Sequence, residues 1–93
     1  MSNAKLFDAK TRKKMVSFVT QPRAARNAAS MNQSVFWSRF GVTQSGGSRY
    51  ESGRDIAGPT QILMALHAAG KLTDQDLTAA QEVLGSAYKS SAD

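Results

Sequence analysis

The sequence has no cysteine, two prolines and a single histidine among its 93 residues. Without cysteine, the chain has no disulfide framework, no thiol nucleophile and no cysteine-ligated metal site, and this absence fits a reducing compartment. No apolar run approaches the roughly 18 residues of a membrane span, and no apolar segment precedes a small-residue cleavage site. We therefore expect a cytoplasmic protein that does not enter a membrane.

Patterns that mark a catalytic or cofactor site are also missing. His67 stands alone, without an acid, a nucleophile or a second ligand at a metal-binding spacing. The serines and tyrosines form no recognisable triad, and neither a phosphate-binding loop nor a pair of catalytic carboxylates is present. We predict that the protein is not an enzyme and that it holds no cofactor and no metal.

Charge is present, but it is distributed unevenly along the chain. Residues 1–54 contain ten lysines and arginines against two acids, whereas residues 55–93 contain two lysines against five acids. The basic first part attracts a polyanionic partner, although a solubilising surface is the simpler alternative. The basic run at residues 10–14 either lies along phosphates or forms a frayed tail.

Hydrophobic periodicity and capping residues predict a single small all-α domain without strand alternation. The chain is 41% hydrophobic and 20% charged, which is typical of a globular protein rather than a disordered one. Asp8, Thr43 and Thr73 each stand where an N-cap is needed, the last in a capping-box variant with Asp76. The predicted helices cover residues 9–19, 21–30, 31 or 32 to 40, 44–52, 59–69 and 74–88.

Three aromatic residues predict the centre of the core. Phe36, Trp37 and Phe40 stand at i, i+1 and i+4 and form one stripe of a helix. Tyr50 is expected to pack at the core or its rim. Inward-facing side chains are also predicted on the last two helices at Ile62, Leu63, Met64, Leu66, Leu77 and Leu84.

The predicted helix 44–52 carries a polar stripe, which we define as Gln44, Ser45, Ser48, Arg49 and Ser52. These residues fall at i, i+1, i+4, i+5 and i+8, so they share one side of a helix of period 3.6. None is a carboxylate, whereas a solvated helix surface usually mixes charges of both signs. Amide, hydroxyl and guanidinium groups pair with base edges and phosphates. The stripe therefore indicates a helix that lies in the major groove of DNA.

A set of short motifs surrounds the polar stripe at fixed spacing. These are Asn32-Gln33 at the start of one helix, Gly41-Val42 at the turn, Thr43-Gln44 at the start of the next, and SRYESG at residues 48–53. With these motifs, residues 32–53 resemble the helix-turn-helix of the Cro and lambda-repressor-like (XRE-type) DNA-binding family. The resemblance implies a compact five-helix domain, with an extra helix at its N-terminal end.

The resemblance also divides the chain into three parts. Residues 1–19 form a basic N-terminal segment, of which residues 1–4 are typical of an expression-vector remnant. Residues 20–70 form the helix-turn-helix domain. Residues 71–93 form a C-terminal helix that serves packing or dimerisation, with a frayed end at residues 90–93.

Individual roles follow from the resemblance, residue by residue. The base-contacting residues it implies are Gln44, Ser45, Ser48 and Arg49. The phosphate-contacting residues it implies are Asn32, Gln33, Thr43 and Ser52, to which we add Arg39 and Arg54 as basic neighbours. Gln33 is also expected to buttress the side chain of Gln44. Arg26 and Glu51 match a structural ion pair of the family rather than a DNA contact.

Two residues depart from the family pattern. Trp37 stands where the family has a small residue, and Gly47 stands where it has valine or isoleucine. The side chain is larger than usual at position 37 and smaller than usual at position 47. We therefore expect the indole of Trp37 to occupy the space that Gly47 leaves.

These features predict a sequence-specific transcriptional regulator, a repressor, that binds double-stranded DNA in the bacterial or phage nucleoid. One helix-turn-helix reads only a few base pairs, so a homodimer is expected, with its contact in residues 67–72 and the last helix. The alternatives are an antitoxin, with a toxin or another regulator as protein partner, and a helical protein-interaction module on the same scaffold.

Overall fold

Six α-helices and two short 3-10 turns make up the structure, a computed structural model that describes residues 3–89. The α-helices are α1 (Ala9–Thr20), α2 (Pro22–Ala28), α3 (Gln33–Ser38), α4 (Gln44–Glu51), α5 (Gly58–Ala68) and α6 (Asp74–Leu84). The 3-10 turns are Ala4–Leu6 and Gly85–Ala87. Residues 1–2 of the predicted vector remnant and the predicted frayed end at 90–93 lie outside the described residues.

The observed helices match those expected from the sequence, and the all-α prediction is confirmed. The bounds of α1 to α5 lie within two residues of the predicted ones, and no strand occurs over residues 3–89. The last helix is shorter than predicted. It ends at Leu84 because Gly85, with a φ of +52°, leaves the right-handed helical conformation. None of the helices in the described part of the chain is long and apolar enough to cross a membrane.

Local hydrogen bonds explain where four helices begin. In each case a short polar side chain accepts from a backbone N–H of the first turn, which has no partner within the helix. These bonds join Asp8 to Thr11 N at 2.7 Å, Asn32 to Val35 N at 2.8 Å, Thr43 to Gly46 N at 3.1 Å and Thr73 to Asp76 N at 3.1 Å. Asp76 returns a bond to Thr73 N, which completes the predicted capping box.

The aromatic stripe of α3 lies at the centre of the core, as predicted. Phe36 and Trp37 are fully buried, and Phe40 is also buried. The Phe36 and Phe40 ring centroids are 5.8 Å apart, and those of Trp37 and Tyr50 are 5.4 Å apart. Tyr50 therefore joins α4 to this cluster, and aromatic pairs at such distances add to the stability from burial alone.

The predicted inward face of α5 is confirmed at Leu63 and Met64 but is wrong at Ile62. Ile62 is 63% exposed, whereas Met64 is fully buried. The buried residues of α5 are Thr60, Met64 and Ala68, which are spaced by four and form one line along the helix. Ile62 lies two residues from this line and faces solvent. Leu84 of α6 is 53% exposed, so it too lies outside the predicted core.

Candidate nucleic-acid interface

A tight turn at Gly41 joins α3 to α4. Gly41 has a φ of +74°, the left-handed conformation that glycine adopts without strain. The N–H groups of Phe40 and Val42 both donate to the carbonyl of Trp37, at 3.0 and 3.1 Å. Val42 is 1% exposed and anchors the turn in the core. The orientation of α4 relative to α3 is therefore fixed by backbone hydrogen bonds and by packing.

The polar stripe lies on the solvent side of α4. Gln44, Ser45 and Arg49 are exposed, and Ser48 is partly exposed. Ser52 lies just beyond the helix end and its hydroxyl donates to the carbonyl of Ser48 at 2.9 Å. The opposite side of the helix is buried through Gly46, Gly47 and Tyr50. The structure thus presents the amide, hydroxyl and guanidinium groups together on one surface.

Gln44 and Gln33, which we call the amide pair, are joined by a direct hydrogen bond between their side chains. Gln44 Nε2 donates to Gln33 Oε1 at 2.6 Å. Gln33 is the first residue of α3 and Gln44 is the first residue of α4, so the bond links the starts of both helices. The buttress expected from the sequence is present in this form.

The buried carboxylate of Glu51 accepts hydrogen bonds from several side chains, one of which is Gln33 of the amide pair. Its side chain has no solvent exposure. Arg26 contributes two bonds, from Nε to Oε2 at 2.8 Å and from Nη2 to Oε1 at 3.0 Å. Trp37 Nε1 donates to Oε2 at 2.8 Å, and Gln33 Nε2 donates to Oε1 at 3.3 Å. The Arg26–Glu51 pair is therefore one part of a larger network that ties α2, α3 and α4 together.

These contacts determine the charge state of Glu51. Burial alone raises the pKa of a carboxyl group, because it removes water from the charged form. Hydrogen bonds from Arg26, Trp37 and Gln33 outweigh that effect and lower the pKa of Glu51 to about 2. Glu51 is consequently ionised at neutral pH, and a carboxylate in that state only accepts hydrogen bonds.

Trp37 and Gly47 are in close contact across the α3–α4 interface. A Cβ atom placed on Gly47 would overlap the Cγ and Cδ1 atoms of the Trp37 indole ring. Both residues are buried, so the ring has no free space into which it can move. The indole thus occupies the volume that a larger residue at position 47 needs, as the two departures from the family pattern predict.

The predicted phosphate-contacting residues lie around the starts and ends of α3 and α4. Asn32 is exposed and Thr43 is partly exposed, and both use a side-chain oxygen as an N-cap. Arg54 follows α4 and is exposed, and its backbone N–H donates to the carbonyl of Arg49 at 3.0 Å. Gln33 is engaged in the amide pair. These residues border the polar stripe, whose last member is Ser52.

Arg39 requires a correction, because the structure places it away from this border. Its side chain is 11% exposed, and Nη1 lies 2.9 Å from Asp74 Oδ1. The guanidinium carbon is 4.7 Å from the Phe36 ring centroid and 5.0 Å from the Phe40 ring centroid. A guanidinium in this position stacks on the core and holds α6. We therefore remove Arg39 from the phosphate-contacting set.

Replacing Arg39 tests this correction. Arg39→Ala is expected to lower the free energy of unfolding by about 2 kcal/mol, because it removes a partly buried hydrogen-bonded pair and its packing. Chemical denaturation measures this change. The slope of DNA affinity against salt concentration is expected to stay the same, because the side chain meets no phosphate. A flatter slope with unchanged stability would restore Arg39 to the interface.

The contacts of α6 include residues that the sequence did not identify. Asp74 accepts from Arg39, which lowers the pKa of Asp74, and its Oδ1 also lies 2.9 Å from His67 Nε2. Gln81 Nε2 donates to the carbonyl of Ser38 at 2.9 Å, which satisfies the end of α3. These bonds join residues at least seven positions apart in the sequence, and no local pattern marks them. An acid in a first helical turn is the only signal, and it is a common one.

The chemistry of this region is that of recognition. Over residues 3–89, no group of three histidine, aspartate, glutamate or cysteine side chains is placed to hold a metal ion. The exposed groups of the polar stripe are hydrogen-bond donors and acceptors on one helix, and the stripe lies within residues 1–54, which contain ten basic residues against two acids. This arrangement fits the edges of base pairs between two phosphate backbones.

Comparison with known proteins agrees with this geometry. Residues 23–67 match the model of the RsaL-like helix-turn-helix domain. A search of curated proteins gave no significant match. Among solved structures, the chain is similar to the quorum-sensing repressor RsaL of Pseudomonas aeruginosa, with 36% identity and a TM-score of 0.63. That similarity covers 69% of this chain and 94% of the RsaL chain. The protein therefore belongs to the RsaL-like helix-turn-helix family of DNA-binding domains.

Proposed function

We propose that the protein is a sequence-specific transcriptional repressor that places α4 in the major groove of duplex DNA. The observation that carries this proposal is the polar stripe, an exposed surface of α4 without a carboxylate whose first residue is held by Gln33. The family and the similarity to a repressor support the same function. The alternative of a protein-interaction module calls for an apolar surface at this place, and the stripe is polar.

Specific base contacts are assigned to four residues of α4. Gln44 pairs with adenine through N6 and N7, and Arg49 pairs with guanine through N7 and O6. Ser45 and Ser48 lie beside them on the same side of the helix and meet neighbouring base edges. Each bidentate contact of this kind contributes about 1–3 kcal/mol of discrimination between bases.

The proposed phosphate contacts fix the position of α4 in the groove. They involve Ser52, the last member of the polar stripe, and four residues that border it: Asn32, Gln33, Thr43 and Arg54. Backbone N–H groups at the start of α4 add a partial positive charge that favours a phosphate. These contacts supply affinity without sequence preference, so they complement the base contacts of α4.

A homodimer is part of this proposal, because two half-sites about one helical turn apart give the affinity that one module lacks. The contact is assigned to α6, where Val83 is 86% exposed and Leu84 is 53% exposed. His67, which the sequence placed in this contact, is 19% exposed and faces Asp74 within the monomer. It is therefore left out. A toxin or another regulator as a protein partner stays a prediction.

We also propose three further features of the protein. The first is kinship with the Cro and lambda-repressor-like family, which the order of motifs over residues 32–53 supports. The second is the division at residues 19 and 70, within which the matched range of 23–67 falls. The third is a cytoplasmic location, which access to the nucleoid requires.

Selection of bound sequences from random duplexes tests the proposed function. The protein is expected to enrich one motif, and Arg49→Ala is expected to relax preference at the guanine that Arg49 reads. Loss of one bidentate contact corresponds to about 1–3 kcal/mol at that base pair. Failure of the wild-type protein to enrich any motif would contradict the assignment.

Lys13→Ala serves as the matched control, because it also removes one positive charge but lies on α1 outside the polar stripe. If Lys13 contacts a phosphate, this variant weakens all duplexes alike and reduces the salt slope by about one. If the basic run of α1 is a solvated surface, the variant binds as the wild type does. In both cases the selected motif is expected to stay the same.

A further inference from the structure

Three side chains form a chain of hydrogen bonds from the protein interior to the DNA-facing surface. Glu51 is buried and accepts from Gln33 Nε2 at 3.3 Å. Gln33 is partly buried, and its Oε1 accepts from Gln44 Nε2 at 2.6 Å. Gln44 is exposed at the start of α4. This row of hydrogen bonds therefore begins at the buried carboxylate of Glu51 and ends at Gln44, which is assigned to a base contact.

The chemistry of the first member determines the direction of every bond that follows. A carboxylate only accepts, so Gln33 must turn its NH₂ group toward Glu51. Its oxygen then faces Gln44, and Gln44 must donate to that oxygen. Consequently, Gln44 points its own oxygen and its second N–H away from the protein. A neutral group in place of the carboxylate lets both amides turn around.

The direction of the terminal amide matters because purines differ at the edge that it meets. Adenine offers a donor at N6 and an acceptor at N7, which match one oxygen and one N–H. Guanine offers two acceptors, N7 and O6, which match two N–H groups. The observed direction fits adenine. The reversed direction turns the oxygen of Gln44 toward Gln33 and leaves N–H groups outward, which fits guanine.

We propose that Glu51 is a positioning residue that determines base specificity from inside the protein. By fixing the direction of the amide pair, it makes α4 prefer adenine over guanine at the base that Gln44 faces. This inference rests on the proposed function, since it requires α4 to lie in the major groove. Glu51 itself touches no base.

The remaining contacts of Glu51 keep the carboxylate in place for this role. Arg26 and Trp37 both donate to Oε2, each at 2.8 Å, Arg26 also donates to Oε1 at 3.0 Å, and Arg23 Nε lies 3.5 Å from Oε1. The carboxylate therefore cannot rotate away from Gln33 without losing charge-assisted bonds. Trp37 is fully buried, so packing around the indole ring also fixes the position of its N–H.

Moving the carboxylate from position 51 to position 33, one step closer to Gln44 in the row of hydrogen bonds, tests the proposal. Affinity is measured for duplexes that carry A·T or G·C at the one base pair where Gln44→Ala abolishes preference. The Glu51→Gln variant is expected to lose about tenfold or more of the adenine preference, because both amide directions become available. Adding Gln33→Glu to that variant places an obligate acceptor next to Gln44. The double variant is expected to recover the preference for adenine, and it has the same net charge as the wild-type protein.

Two further variants separate this role from a merely structural one. Gln33→Leu removes both links of the chain while it leaves the Arg26–Glu51 pair intact, and it is expected to lose the adenine preference even if Glu51→Gln does not fold. Asp55→Asn removes a negative charge from an exposed site between α4 and α5 and is expected to keep that preference. Binding is compared at a temperature where circular dichroism shows each variant to be folded.

The outcomes are distinct. Equal weakening toward all bases in Glu51→Gln and Gln33→Leu, or an unchanged ratio of adenine to guanine in both, overturns the proposal. A double variant that folds but does not recover the ratio also overturns it. If the wild-type protein shows no preference at any base pair, the proposed function fails and this inference fails with it. Preference at the base read by Arg49 is expected to persist throughout.

Discussion

Gly47→Val is expected to lower the free energy of unfolding by about 3 kcal/mol or more, a large part of the stability of a small domain. The Cβ of the new side chain would overlap the indole of Trp37, which is fully buried and surrounded by other rings. Neither helix can yield easily, because the turn at Gly41 and the Glu51 network fix their separation. Chemical denaturation followed by far-ultraviolet circular dichroism measures the change.

Removing the indole is expected to relieve this overlap. Trp37→Ala alone leaves a cavity and takes a donor from Glu51, so it too is expected to cost about 3–5 kcal/mol. The double variant Trp37→Ala/Gly47→Val is expected to be more stable than the sum of the two single changes predicts. Residues in contact show coupling energies of about 0.5–3 kcal/mol in such cycles.

A second glycine in a helix provides the control for this cycle. Gly58 begins α5, and a Cβ atom placed there has no heavy atom within 4 Å. Gly58→Val is therefore expected to have a small effect and to add to Trp37→Ala without coupling. Plain additivity in the Gly47 cycle would show that the side-chain volumes at positions 37 and 47 do not compensate each other.

The predictability of this fold depends on how local each contact is. The starts of α1, α3, α4 and α6 were predicted because their caps join residues three positions apart. Likewise, the pairing of Trp37 with Gly47 follows from the volumes of two residues within one motif. Ile62 was wrongly placed on the inward face of α5 because Ile62 and Met64 are both apolar, and periodicity alone does not decide between two adjacent lines on one helix.

The candidate site shows the same limit. The buttress of Gln44 by Gln33 and the contact between Arg26 and Glu51 were expected from a family pattern. The role of Arg39 was not expected, because its partner Asp74 lies 35 positions away in the sequence. From the sequence alone, a basic residue close to the polar stripe suggests a phosphate contact. The direction of the amide pair depends on the burial and ionisation of Glu51. Neither property is visible in the sequence, since both arise only when α2, α3 and α4 meet.

The stability that Glu51 contributes is expected to disappear in acid. In the unfolded chain a glutamate has a pKa near 4.3, whereas in the folded protein the pKa of Glu51 is about 2. Because the folded value is the lower one, the contribution is fully present above about pH 4.3 and is lost as the pH falls toward 2. A difference of this size corresponds to about 3 kcal/mol at neutral pH.

A comparison of Glu51→Gln with the wild type isolates this contribution. Hydrogen bonds to Thr11, Arg39 and Thr73 also lower the pKa values of Asp8, Asp74 and Asp76, respectively, so the wild-type curve alone contains several carboxylates. The two proteins share those groups, and their difference does not contain them. We expect the free energy of unfolding of Glu51→Gln to be about 3 kcal/mol below the wild-type value at pH 7. This difference is expected to decrease as the pH falls from about 4.3 to 2.

The exposed variant Glu82→Gln provides the control for the loss of one negative charge, and its free energy of unfolding at pH 7 is expected to stay within about 0.5 kcal/mol of the wild-type value. If the difference in free energy of unfolding between Glu51→Gln and the wild type stayed constant down to pH 2, the Glu51 carboxylate would not be held ionised by Arg26 and Trp37. Such a result would also remove the basis for a fixed direction of the amide pair, because a protonated Glu51 can donate to Gln33 as well as accept from it. Acid stability and base preference are therefore two measurements of the same buried charge.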